Sequence, residues 1–521
     1  MIPMSALRVI LLKPGKYDAD TYVQRFRRGF MPNSTIVYMA SLTPPEIDGA
    51  KVEVTTIDEY VHDDLDYLQL LRRDPNRRTL LALTGVQSHQ FQRALDLAAY
   101  ALSNGVENAI IGGPHPMTCE TTELQGRGVS FCLSEAEIVW EDILRDALAG
   151  ELAPVYGRDA RWAAKLDPPV LVPPSPRSLK RYAIRMLGIY PARGCPYTCN
   201  FCSVIKISGR QVRSQPVETT IASLKAAKAA GVRSIVFTSD NLNKYSEVRP
   251  LLRAMIDERI ELPWFCQCDT QIARQEDLIE LMGQAGCFQL LVGAESFSRQ
   301  VLLAAHKFQN HPDTYGRIVE LCRRNRISTH FSNIIGFPSD TREDVLEHLR
   351  RLRELQPDVA SFYILTPIPG TEQYDEFLSQ GLIHEKNLDR FDATCVTWNH
   401  PHLAPDEWMD LMLRCYRELA SLPDVAAKLI RHTLRRWDYR TAIDLMSVVA
   451  YAVQWRLAVR QRRHPMAGGS GRVRLDAVSD YAPLRREYFG VDLVPLPHSL
   501  HLSAADEALN RTAKLSANFH A

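Results

Sequence analysis

A chain of 521 residues exceeds one ordinary domain and suits two or three, and its 45% hydrophobic content is ample for packed cores. A formal net charge of +1 gives the bulk electrostatics no reason to seek a polyanion, so nucleic acid is not an expected partner. Eleven cysteines without regular spacing do not make the framework of a secreted disulfide protein and read as thiols in a reducing cytoplasm. The start, Met1 to Leu12, lacks the basic and apolar regions of a signal peptide, and no run reaches the roughly 18 apolar residues that span a bilayer. The expectation is a cytoplasmic protein with no membrane contact, or a peripheral one at most.

Residues 1–150 read as alternating strands and helices. Apolar runs at Arg8-Leu12, Val52-Ile57, Leu80-Thr84, Asn108-Ile111 and Val129-Leu133 alternate with helical stretches such as Arg93-Leu102 and Ile138-Leu148. That alternation predicts a doubly wound, Rossmann-like parallel sheet with its ligand at the carboxyl ends of the strands. Those ends carry Pro14-Gly15, Asp58, Gly85-Val86-Gln87-Ser88, Gly112-Gly113 and Ser134-Glu135, and the glycines let backbone approach a flat or bulky ligand. They are also ordinary strand-to-helix turn residues.

Residues 151–185 form a linker, stiffened by Pro168, Pro169, Pro173, Pro174 and Pro176. From 186 to 370 alternation resumes with strand-like runs at Leu187-Tyr190, Ser234-Thr238, Trp264-Cys268, Gln289-Gly293, His330-Gly336 and Val359-Leu365, separated by helical patterns. Six such units make three-quarters of a TIM-like barrel, a partial (β/α)6, whose chemistry belongs at the strands' carboxyl ends. Residues 371–521 read as mostly helical. Within them Thr441-Trp455 is apolar with arginines behind it, and is either a helix capping the barrel or a membrane-surface helix. A flexible break follows at Ala467-Gly471, and the last thirty or so residues read as peripheral.

The most informative residues follow the first barrel strand: Arg193-Gly194-Cys195-Pro196-Tyr197-Thr198-Cys199-Asn200-Phe201-Cys202. Thiolates at Cys195, Cys199 and Cys202 can hold one iron-sulfur cube by three corners and leave its fourth iron open. A cluster that only carries electrons usually has four cysteine ligands, so an open iron points to chemistry there. Zinc ligands short of a partner, or buried thiols, are the plainer alternatives.

This loop resembles that of the radical S-adenosylmethionine (radical SAM) superfamily, Cys-x3-Cys-x2-Cys with an aromatic, here Phe201, before the last cysteine. The resemblance implies a [4Fe-4S] cluster whose open iron is chelated by S-adenosylmethionine, reductive cleavage to a 5′-deoxyadenosyl radical, and an electron donor such as flavodoxin or ferredoxin. It also implies cofactor contacts at strand ends: Asp240 and Asn241 toward the methionyl ammonium, Glu295 and Ser296 toward ribose or methionyl groups, and Gly336 toward adenine. Gln267 and Asp269, on the face of the third strand opposite Cys266 and Cys268, become substrate-side candidates. Lys206, Arg210 and Arg213 are open between a carboxylate-binding role and a solvated helix entry, and the segment Lys307-Phe308-Gln309-Asn310 has no role its chemistry assigns.

The stretch Thr84-Gly85-Val86-Gln87-Ser88, with Gln90 to Ala94 and then Ile110-Ile111-Gly112-Gly113-Pro114-His115, resembles the amino-terminal cobalamin-binding domain of one class of these enzymes. The Asp-x-His-x-x-Gly pattern by which other cobalamin proteins give cobalt a histidine is absent, and His115 reads equally as a turn residue. Cobalamin-dependent methylation of an unactivated carbon in a small molecule is the function implied. The rivals are an oxidative cyclase or rearrangement enzyme on the same fold, a transfer-RNA methylthiotransferase, which would need three further cluster cysteines, and an iron-sulfur electron carrier or sensor.

Overall fold

Two parallel sheets organise the chain in the computed structural model, which describes residues 6–62, 64–419, 421–433, 439–465 and 470–508. The first contains β1 (Ala6–Lys13), β2 (Ala50–Asp58), β3 (Arg78–Leu83), β4 (Asn108–Gly112), β5 (Ser130–Cys132) and β6 (Val155–Tyr156) in the order β2-β1-β3-β4-β5-β6, all parallel, with Glu46–Ile47 antiparallel outside β2. Helices Ser34–Leu42 and Ala136–Ala149 cover one face and Ser88–Ser103 the other. Burial on both faces explains why the central strands read as unbroken apolar runs rather than alternating ones. Strand order reverses between β1 and β3, which is where a sheet of this kind opens a crevice.

The second sheet contains β7 (Met186–Ile189), β8 (Ser234–Phe237), β9 (Trp264–Cys268), β10 (Cys287–Glu295), β11 (Ser328–Ile335) and β12 (Val359–Ile364), parallel and in chain order. It is the expected six-stranded part of a barrel. Its outer helices pack around Trp264, Tyr315 and Phe331, each buried.

The carboxyl-terminal region departs from expectation in two ways. Past helices Pro405–Leu419, Leu422–Thr433 and Tyr439–Arg460 the chain returns to the region of the first sheet, where Ser470–Val473 forms a separate two-stranded antiparallel ribbon with Arg25–Arg28 and Ala482–Phe489 packs on Ser88–Ser103. Buried ion pairs fix that return: Arg25 and Arg93 on Glu59 and Asp476, and Arg485 on Asp96 at 2.6 Å. Val494, Ser499 and Asp506 are buried and anchor the described part of the last thirty residues, most of which is exposed or half-buried as expected of a peripheral segment; the break expected at Ala467 lies largely outside the described residues. Second, helix Tyr439–Arg460 is long and apolar enough, by length and composition, to cross a membrane, which corrects the expectation that no run is. It packs at the amino-terminal ends of β10 and β11, where Asp444 accepts from Ser328 Oγ at 2.8 Å and Arg440 donates to the carbonyls of Gly283 and Asn325.

Candidate functional site

The cysteine loop springs from a small hairpin. Ala192–Arg193 pairs antiparallel with Arg213–Ser214, and the loop between is anchored by Cys195 N donating to Gly209 O and Cys202 N to Cys199 O. Gly194 has a φ of +104°, and a side chain there would come within 2.2 Å of Gln211 O. Glycine is therefore obligatory at the mouth of the loop. Cys195, Cys199 and Cys202 are half-buried free thiols. Burial raises all three, Cys202 to about 12, so a bound metal would have to supply the charge that makes them thiolates. Among the described residues no three Cys, His, Asp or Glu side chains gather tightly enough to hold a single ion.

The segment Lys307 to Asn310 closes over this loop. Gln309 Nε2 donates to Cys199 Sγ at 3.7 Å, and Lys307 Nζ lies 5.7 Å from the centre of the Phe201 ring. Lys307 also pairs with Glu295 at 2.5 Å, both side chains buried, and Asn310 Nδ2 donates to the carbonyls of Gly293 and Ala294. These bonds hold Glu295 at a φ of +61° where β10 bulges against β11. No signal in the sequence pointed to this role, because it joins residues twelve apart through an irregular strand end.

The other strand-end candidates lie around the same mouth, several already engaged. Asp240 Oδ2 accepts from Gly194 N at 2.7 Å, tying the second strand to the cysteine loop. Asn241 Nδ2 donates to Asp269 Oδ2 at 2.7 Å, Asn243 Nδ2 donates to Asp269 Oδ1, and the same carboxylate caps Gln271 N. Gln267 is exposed on the concave face of β9 while Cys266 and Cys268 are buried. Ser296 Oγ accepts from Ser298 N. The close approach that Gly336 permits is occupied by the indole of Trp408, within 2.1 Å of where a side chain would begin.

A cavity of about 480 Å³ lies at the carboxyl edge of the first sheet, at its switch point. Lys13, Thr84, Gly85, Gln87, Gly112 and Gly113 line its rim, Met39, Ile110, Cys132 and Trp140 its apolar depth, and Tyr190, Arg193 and Asp240 its barrel side. Gly113 has a φ of +133° and its position leaves 2.2 Å to Val86 N. The hydroxyl of Thr84 is buried without a hydrogen-bond partner, and burial lowers Lys13 to about 7 against the pull of Asp58. A slot with an apolar floor, glycine walls and an unmet hydroxyl fits a ligand that is flat and partly polar. His115 does not face it: Nδ1 sits 3.0 Å from Ser88 Oγ, the ring stacks on Phe91 at 3.9 Å, and burial lowers it to about 3.

Arg213, open between two roles in the sequence, takes neither. It donates to both oxygens of Glu135 at the end of β5, while Arg193 pairs with Glu137 at 2.8 Å and lies over Tyr38 at 4.8 Å. Arg210 donates to Pro196 O within the loop. Cysteine hairpin and first sheet thus share one buried charge array, and the cavity opens toward the loop.

Residues 189–352 match the Radical SAM superfamily. The bacteriochlorophyllide d C-8(2)-methyltransferase of Chlorobaculum tepidum is 23% identical over 448 residues, 82% of this chain and 93% of that one. Two solved structures share the fold. The radical S-adenosylmethionine methyltransferase TsrM from Kitasatospora setae, with cobalamin and a [4Fe-4S] cluster bound, matches with a TM-score of 0.56 and 18% identity over 72% of this chain and 78% of that one. The cobalamin-dependent S-adenosylmethionine radical enzyme OxsB, with aqua-cobalamin and S-adenosylmethionine bound, matches at 0.60 and 14% over 88% and 72%.

Proposed function

We propose that this chain, a member of the radical SAM superfamily, is a cobalamin-dependent methyltransferase acting on an unactivated carbon of a small molecule. The observation that carries the reading is the placement of three free thiols, on one loop, beside a cavity at the switch point of a doubly wound sheet. Cys195, Cys199 and Cys202 would hold a [4Fe-4S] cluster and S-adenosylmethionine at its open iron, and the cavity lined by Thr84, Gly85, Gln87, Gly112 and Gly113 would take part of cobalamin. When bound, these groups supply one-electron cleavage of a sulfonium and a transferable methyl group.

The polypeptide's part is placement. Phe201, edge-on to Phe337 at 6.3 Å and with Lys307 Nζ 5.7 Å from its ring centre, packs beside the half-buried cysteines of the loop. Gln267 is the one lumen-side candidate whose amide is exposed to a substrate, whereas Asp269 orients Asn241 and Asn243 beneath it. The charge array of Glu135, Arg193 and Arg213 fixes the distance between the two cofactor sites.

The test uses the anaerobically reconstituted full chain with cobalamin, a reductant and S-adenosylmethionine labelled in its methyl group. Methyl transfer predicts label on the corrinoid. The rival cyclase chemistry predicts cleavage with the label left in methionine, and a mere electron carrier predicts no cleavage.

A further inference from the structure

The outward face of helix Tyr439–Arg460 reverses the ordinary pattern of a surface helix, in which polar residues meet solvent. Its inner face is seated: Ile443, Val448, Ala452 and Trp455 are buried and Asp444 bonds Ser328. Outward, Met446, Val449, Val453 and Leu457 are 59%, 37%, 54% and 54% exposed. Spacings of three, four and four residues align them on one side. Single exposed apolar residues need no explanation, but an aligned row marks a contact surface.

Charge identifies what covers it. Arg456, Arg460 and Arg463 are exposed at the carboxyl end of the row, with Arg462 beside them paired to Asp410 at 2.8 Å, while the only acid between residues 439 and 463, Asp444, is turned into the protein. A second copy seated face to face would bring the same row, whose own acid is buried and whose neighbouring Asp410 is already paired, and so would add no free carboxylate for Arg456, Arg460 and Arg463. An anionic bilayer supplies hydrocarbon and phosphate together. Spanning is incompatible with the fold, because Asp444 and Trp455 are packed against the barrel.

We propose that this face rests on anionic phospholipid, with Met446, Val449, Val453 and Leu457 in the hydrocarbon boundary and the arginines among the headgroup phosphates. The inference is independent of the chemistry assigned to the cysteine loop.

Sedimentation of the full chain with vesicles tests it. The protein should pellet with vesicles of equal parts phosphatidylglycerol and phosphatidylcholine and at least about tenfold less with phosphatidylcholine alone, since each arginine near an anionic surface adds about 1 kcal/mol. Val453→Glu with Leu457→Glu should abolish pelleting, and Arg456→Gln with Arg460→Gln should weaken it about tenfold or more, while the circular-dichroism melt stays that of the parent. Absence of pelleting on anionic vesicles overturns the proposal, as does pelleting that neither variant changes. A dimer in light scattering that the glutamate variant dissolves would assign the face to a second copy instead.

Discussion

Glu135 and Arg213 form a two-pronged ion pair, Nη1 to Oε2 at 2.6 Å and Nη2 to Oε1 at 2.8 Å, with side chains only 5% and 7% exposed. Glu135 follows β5 of the first sheet and Arg213 closes the cysteine hairpin, so one desolvated pair ties the hairpin to the sheet. Removing Arg213 takes the two-pronged partner from buried Glu135 and leaves it Arg193 at 3.4 Å and the Ala163 amide. Arg213→Met should cost about 3 kcal/mol, seen as a lower melting temperature and faster proteolysis within 157–185. A melt unchanged by the substitution would mean that the pair is not what joins the two units.

The buried pair of Glu295 and Lys307 permits a sharper test by double substitution. Lys307→Met alone should destabilise by about 3 kcal/mol, whereas Lys307→Met with Glu295→Gln should recover most of the loss, because the unpaired carboxylate is then gone. Additive losses would show that the two side chains do not act as a pair.

Gly113→Ala places a methyl group 2.2 Å from Val86 N at a φ of +133°, so the turn over the cavity must move. The variant should keep the iron content of the parent after reconstitution and bind hydroxocobalamin at least about tenfold more weakly. Parent-like retention of cobalamin, read from its visible absorption, would place the corrinoid elsewhere.

His115 is held neutral by burial, at about 3 against an ordinary value of 6.5. The unfolded chain therefore binds the extra proton first, and the contribution is intact above pH 6.5 and lost as pH falls toward 3. Between pH 6.5 and 5 the loss is about 2 kcal/mol. His115→Gln should flatten the stability profile by that amount across this interval; an unchanged slope would show that His115 is charged in the folded protein.

Much of this architecture was legible because it rests on local pattern. All six barrel strands and the five main strands of the first sheet fall on the apolar runs, and the cysteine spacing singled out the loop as a candidate cluster site. What escaped joins residues distant in sequence. The Glu135 to Arg213 array, the Lys307 clasp on Glu295 and the return of Asp476 and Arg485 to the first sheet each need tertiary contacts that no periodicity encodes. Gly336 shows the same limit from the other side: the need for glycine was readable, but the partner is Trp408, 72 residues away, rather than a ligand. Short elements such as Arg25–Arg28 were missed because two or four residues carry too little pattern.

Cys195, Cys199 and Cys202 would leave one iron of a cube free to bind S-adenosylmethionine. Electron paramagnetic resonance of the reduced, reconstituted protein tests this: a [4Fe-4S] signal should appear whose g-values shift when S-adenosylmethionine is added. A signal indifferent to that addition, or no cube forming on the triplet, contradicts it.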